Sequence, residues 1–189
     1  MRVVLAITGA SGVIYGVKLL EALKGKAEVS LVVSDIGKKL LEDETGLKYE
    51  NVKRMAADSY ENSDLFSPLA SGSSHFDAMA IVPCSISTIG KIANGIADDL
   101  ITRTALVAMK ERRKLIVVPR EMPLDAIALE NMTRLARLGV IVCPAAPAFY
   151  GRPENLDDLV NFVAGRIMDL LGIENELYER YQNRNKEKV

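Results

Sequence analysis

Residues 3–24, VVLAITGASGVIYGVKLLEALK, decide how the rest of the chain is read. Residues 3–7 form a short, continuously apolar run rich in β-branched side chains, the pattern of a strand covered on both faces. The turn Thr8-Gly9-Ala10-Ser11-Gly12 follows at once. Beyond it, Val13, Val17, Leu20 and Leu23 recur at helical spacing, which predicts a helix over 13–24.

The same alternation continues outward. Strands are expected at 28–34, 78–84, 115–119 and 140–144. Helices are expected at 36–45 (closed by Gly46), 87–97, 99–113, 125–138 and 157–171. Between 47 and 75 the periodicity weakens and Ser and Gly gather at 71–74, so this stretch reads as an irregular excursion. Strand–helix alternation requires right-handed crossovers and a parallel sheet. The expected fold is therefore α/β, a Rossmann-like (flavodoxin-like) three-layer sandwich with a mostly parallel sheet. One domain is expected over 1–182, followed by a polar tail over 183–189.

Composition narrows the function. The 189 residues carry 49% hydrophobic and 26% charged side chains and a net charge of −1. Without a global basic field, nucleic acid and anionic membranes are poor partners. Five apolar residues near the N-terminus are too few for a signal peptide, and no stretch approaches a spanning helix, so a cytoplasmic protein is expected. Cys84 and Cys143 each end or follow an apolar run and suit buried thiols. A single histidine, His75, excludes a His-rich metal site and precedes a strand instead of following one.

In an open parallel sheet, ligands sit beyond the carboxyl ends of the strands. The residues following the strands are Gly9-Ala10-Ser11-Gly12, Ser34-Asp35, Ser85-Ile86-Ser87-Thr88, Arg120-Glu121 and the Pro-rich 144–153 with Tyr150. The first turn is either a tight connection or an anion cradle at a helix N-terminus. Its spacing is not the dinucleotide fingerprint G-x-G-x-x-G. One of Ser85, Ser87 and Thr88 is explained as a helix cap, and three exceed what a cap needs. Arg103 and Lys110, seven residues apart, share a helix face that is either solvated or anion-binding. Arg166, spaced from Phe162, Val163 and Leu170, reads as a cation on an apolar stripe that either snorkels or needs an anionic partner. Glu121 is either ion-paired with Arg120 or a proton-transfer carboxylate, and Tyr150 is either loop packing or a ligand contact.

Taken together, TGASGVIYG at 8–16, SD at 34–35, ASGS at 70–73, PCSIST at 83–88, the run 101–124 ending VPREMPL, PAFYGRP at 147–153 with the helix after it, and RYQ at 180–182 resemble the UbiX-type flavin prenyltransferases. The resemblance covers nearly the whole chain. It implies that Gly9, Ala10, Ser11, Ser34, Ser85, Ser87, Thr88 and Arg120 hold FMN. It assigns the phosphate of dimethylallyl phosphate to Arg103, Lys110, Tyr150 and Arg166, often with help from a neighbouring subunit. Glu121 and Glu44 would handle protons. It further implies reduced FMN as a substrate, no metal, a homo-oligomer that is typically a dodecamer, and a UbiD-type decarboxylase as recipient of prenylated FMN. Tyr181 stands where the family often has Trp.

Residues 88–100 also resemble the cysteine decarboxylases related to phosphopantothenoylcysteine decarboxylase. Those enzymes place a histidine further upstream than His75 and carry a Pro-x-Met-Asn-type segment that this sequence lacks. Tyr49-x-x-x-Lys53 matches a short-chain dehydrogenase pair but comes too early in the chain.

Overall fold

The computed structural model describes residues 1–181; Gln182 and the tail expected at 183–189 lie outside the described residues. The elements run β1 (Arg2–Ile7), α1 (Val13–Leu23), β2 (Glu28–Val33), α2 (Asp35–Thr45), α3 (Tyr49–Lys53), β3 (Asp58–Glu61), β4 (Ala78–Cys84), α4 (Ile86–Ala93), α5 (Leu100–Lys110), β5 (Lys114–Pro119), α6 (Ala126–Arg137), β6 (Ile141–Val142) and α7 (Leu156–Leu171), with a 3₁₀ turn at Pro68–Ala70. All six strands are parallel, in the order β3-β2-β1-β4-β5-β6. This is a doubly wound sheet, and its order reverses between β1 and β4.

Alternation along β1 builds the two cores. Val3, Leu5 and Ile7 face one side, packed with Val13, Val17 and Leu20 of α1 and Val163 and Ile167 of α7. Val4 and Ala6 face the other, with Ile89 and Ile92 of α4, Leu100 and Ala105 of α5, and Leu135 of α6. All seven residues of β4 are buried, as a central strand covered on both faces requires. Gly16 lets α1 lie directly on the sheet: a Cβ there would collide with the Val82 carbonyl oxygen and come within 2.9 Å of Ile7 Cγ1.

Four expectations need correction. The helix expected over 87–97 ends at Ala93, with Asn94 as its cap and Gly95 at a left-handed φ of 72°. The stretch 47–75 is not irregular throughout, because it holds α3 and the edge strand β3. Asp58, Ser59, Tyr60 and Glu61 show no apolar alternation because this edge is never fully covered. Without β3 the remaining order is of the flavodoxin type; with it the order becomes 3-2-1-4-5-6. The helix expected over 99–113 ends at Lys110, and Arg112 adopts a left-handed φ of 54° that no helix continues through. The strand expected over 140–144 is regular only at 141–142. Cys143 and Ala145 still donate to Val117 and Pro119 carbonyls, while Pro144 has no N–H to give.

Candidate active site

The carboxyl ends of β1, β2 and β4 are laced together by backbone and by one buried hydroxyl. Ser34 N–H donates to the Ile7 carbonyl at 3.0 Å, and Thr8 N–H to the Pro83 carbonyl at 3.1 Å. Thr8 Oγ1 donates to the same Pro83 carbonyl at 2.9 Å and accepts the Ser85 N–H at 2.8 Å. Thr8 thus joins the first glycine turn to the hydroxyl segment across the point where the strand order reverses. No role for Thr8 follows from the sequence pattern alone; its position as the last residue before the glycines is the available signal.

The hydroxyls expected at this rim do converge. Ser85 Oγ lies 3.1 Å from Ser87 Oγ and 2.9 Å from Thr88 Oγ1, and it also accepts the Thr88 N–H at 3.3 Å as the cap of α4. Ser34 caps α2 by accepting Gly37 N–H at 3.1 Å. Each hydroxyl can turn its remaining donor or acceptor toward a polar ring edge or phosphate oxygen. Gly9 and Ala10 are half-buried beside them and Ser11 is exposed. Gly12 takes a left-handed φ of 97°, and the Arg120 stem passes 3.7 Å from where its Cβ would stand. Tyr15 packs on the same turn. Burial raises its phenol pKa above the ordinary value, and the positive charge of Arg120 works against that rise.

The N-terminus of α1, read from sequence as either a tight connection or an anion cradle, already holds a carboxylate of the chain itself. Glu44 Oε2 accepts Gly12 N–H at 2.7 Å and Val13 N–H at 3.2 Å, supplying the cap that Gly12 cannot. Glu44 therefore reaches the rim from α2, beside Ser11. Glu121 is exposed and accepts the Met122 N–H at 3.2 Å; among the described residues it makes no ion pair with Arg120.

A second group lies along α7. Tyr150 meets Phe162 edge-on at 5.8 Å and Tyr181 at 5.4 Å, and Phe162 meets Tyr178 at 4.9 Å. Tyr150, Phe162, Tyr178 and Arg152 wall a cavity of about 300 Å³. Arg166 is exposed, correcting its placement on the buried stripe, which runs through Val160, Val163, Ala164, Ile167 and Met168. Its anionic partner within the chain is Asp169 at 3.0 Å.

Arg103 and Lys110 form a third group in the opposite layer. Arg103 Nε donates to the Ala70 carbonyl at 3.0 Å, and Lys110 Nζ lies 3.3 Å from Glu111 Oε1, beside Gly72. Lys110 ends α5 just before β5 begins at Lys114, so it sits toward the amino edge of the sheet. Within one chain the four residues expected to bind one phosphate are divided between two layers. His75 is exposed at the amino end of β4, away from the rim.

Against known proteins, the family model described as Flavoprotein matches residues 1–168. A flavin prenyltransferase UbiX from Methanocaldococcus jannaschii is 53% identical over 96% of this chain and 98% of its own. The chain belongs to the UbiX-type flavin prenyltransferases. Among solved structures of this family, that of AnUbiX in complex with FMN and dimethylallyl pyrophosphate superposes with a TM-score of 0.94 at 40% identity, covering 95% of this chain and 96% of that one. A dodecameric FMN-dependent UbiX-like decarboxylase from Escherichia coli O157:H7 gives a TM-score of 0.91 at 43% identity, covering 93% and 97%. The cysteine decarboxylase alternative stands further off: the epidermin biosynthesis protein EpiD from Staphylococcus aureus gives 0.62 at 25% identity over 78% of this chain.

Proposed function

We propose that this chain joins the dimethylallyl group of dimethylallyl phosphate to N5 and C6 of reduced FMN, in the cytoplasm and without a metal, as a homo-oligomer built like its dodecameric relative. The prenylated FMN would pass to a UbiD-type decarboxylase. The observation that carries this reading is the convergence of the Ser85, Ser87 and Thr88 hydroxyls at the sheet rim, in a chain that also holds an aromatic, arginine-flanked cavity along α7 and belongs to a family of flavin prenyltransferases.

The donor set fits a flavin nucleotide. Ser85, Ser87, Thr88 and Ser34 offer hydroxyls within one rim, and Gly9 lets Ile36 pack on the turn, since a Cβ there would stand 2.6 Å from Ile36 Cγ2. Arg120, its stem beside Gly12, supplies a guanidinium suited to phosphate oxygens. Reduced flavin supplies the electron-rich atoms that the allylic carbon alkylates.

Departure of phosphate leaves negative charge on its oxygens, and fixed cations stabilise that charge most in a water-poor site. Arg166 and Tyr150 would meet the phosphate from one subunit, and Arg103 and Lys110 from a neighbour. Forming the bond at C6 releases a ring proton, for which Glu121, Glu44 and the departed phosphate are the candidate acceptors. The edges of Tyr150 and Tyr181 give the prenyl group an apolar wall.

Protein, chemically reduced FMN and dimethylallyl phosphate are mixed anaerobically, and the released flavin is weighed by mass spectrometry. One added five-carbon unit is expected; FMN of unchanged mass rejects the reading.

A further inference from the structure

Asp169 gathers more donors than any other carboxylate among the described residues, and none of the roles assigned above uses it. Its side chain is only 15% exposed. Oδ2 accepts Tyr178 Oη–H at 2.5 Å, Arg166 Nη1 at 3.0 Å and Arg180 Nη1 at 3.2 Å. Oδ1 accepts Arg180 Nη2 at 2.7 Å and Asn175 Nδ2 at 2.9 Å. Five donors exceed the roughly four lone-pair sites of a carboxylate. Asp169 therefore has no lone pair free for substrate and is not a base.

Its partners point to what it does. Arg180 binds both carboxylate oxygens, in the fork geometry that takes up the aspartate's charge. Arg166 touches the cluster through Nη1 alone, which it also gives to Tyr178 Oη at 3.2 Å. Among the described residues, Nη2 and Nε, the other edge of the guanidinium, make no hydrogen bond or ion pair, which leaves that edge for a second anion. One aspartate against two arginines leaves the cluster with a net positive charge. Tyr178, the other arm, lies flat on α7 because residue 165 is glycine: a Cβ there would stand 2.5 Å from the ring and 2.9 Å from Asn175 Oδ1. Through Phe162 the same ring reaches Tyr150.

We infer that Asp169 is a positioning residue that, together with Tyr178, fixes the Arg166 guanidinium with one edge turned toward the phosphate of the prenyl donor. This rests on the reading of Arg166 as a phosphate ligand. A freely rotating arginine would lose rotamer entropy at each binding event, and a held one has already lost it.

Asp169→Asn keeps the size and one acceptor oxygen, and Tyr178→Phe removes only the hydroxyl, so both variants should fold. In the FMN-loaded protein, each is expected to raise the KM and calorimetric Kd for dimethylallyl phosphate roughly tenfold, the scale of one charge-assisted hydrogen bond. The FMN Kd should stay within about twofold of wild type. In an Arg166→Ala background, Asp169→Asn should change the dimethylallyl phosphate Kd by less than about twofold, since the group it positions is gone. A wild-type KM in both variants overturns the inference. So does an equal loss of FMN affinity, or a full further loss in the Arg166→Ala background, because either marks a general structural role. Absence of transfer by the wild-type chain is read separately in the same assay and fails the functional proposal itself.

Discussion

Thr8 illustrates what one hydroxyl contributes at this sheet edge. It is 2% exposed, and its Oγ1 both donates to the Pro83 carbonyl and accepts the Ser85 N–H. Thr8→Val keeps the shape and strands Ser85 N–H without its acceptor. Leaving such a group unmade costs about 1–3 kcal/mol, so Thr8→Val should lower the unfolding free energy by that amount in urea titration, while Thr8→Ser should retain most of it. A Thr8→Val protein as stable as wild type would mean that solvent replaces the bond and that this edge is wetter than it looks. The individual residues of the site were legible to different degrees. Ser34 and Ser85 follow strands and precede helices, so their positions were fixed by chain order alone. The capping of α1 by Glu44 was not legible, because it depends on two helices lying side by side, 31 residues or more apart in sequence.

Among the elements, α7 and the segment after it behave as one unit through Asp169. Burial alone would raise the Asp169 carboxyl, but hydrogen bonds from Arg180 and Tyr178 and the charge of Arg180 prevail and hold it below the usual carboxylate range. A group whose folded value is depressed stabilises the fold above its unfolded value of about 4, and that contribution disappears as pH falls through the folded value. The melting temperature of wild type should therefore exceed that of Asp169→Asn by a constant margin from neutral pH down to about pH 5. The margin should close as the pH drops below about 4. A margin that persists to lower pH would show that the carboxylate's charge is not what joins these elements. Sequence periodicity found α7 within a residue or two, because its buried stripe is long and regular. It failed for β3, where two exposed and two half-buried residues carry no stripe, and it misjudged the Arg166 flank. The spacing from Phe162 and Leu170 is correct, but those two positions are themselves only partly covered.

At the scale of the whole molecule, the two core clusters separate the cations proposed to share one phosphate. Arg103 and Lys110 stand on the layer that packs Val4 and Ala6, and Arg166 and Tyr150 on the layer that packs Leu5 and Ile7. No side-chain rotation carries a group through a sheet whose central strand is buried along its full length. Exposed apolar residues such as Phe66, Met122, Ile127, Phe149 and Leu156 supply surface that association would cover. If the phosphate site is closed by a neighbour, Lys110→Ala and Arg166→Ala chains should each be inactive alone yet complement when coexpressed. Random mixing leaves roughly a quarter of the sites with both groups intact, because each site draws one group from each of two chains. Prenyl transfer at that level in the mixed oligomer, against background in either homogeneous one, is the expected result. Mixed oligomers no more active than their parents would mean that both cations serve the same chain's site, and the division between layers would then need a rearrangement of α5 to reconcile it.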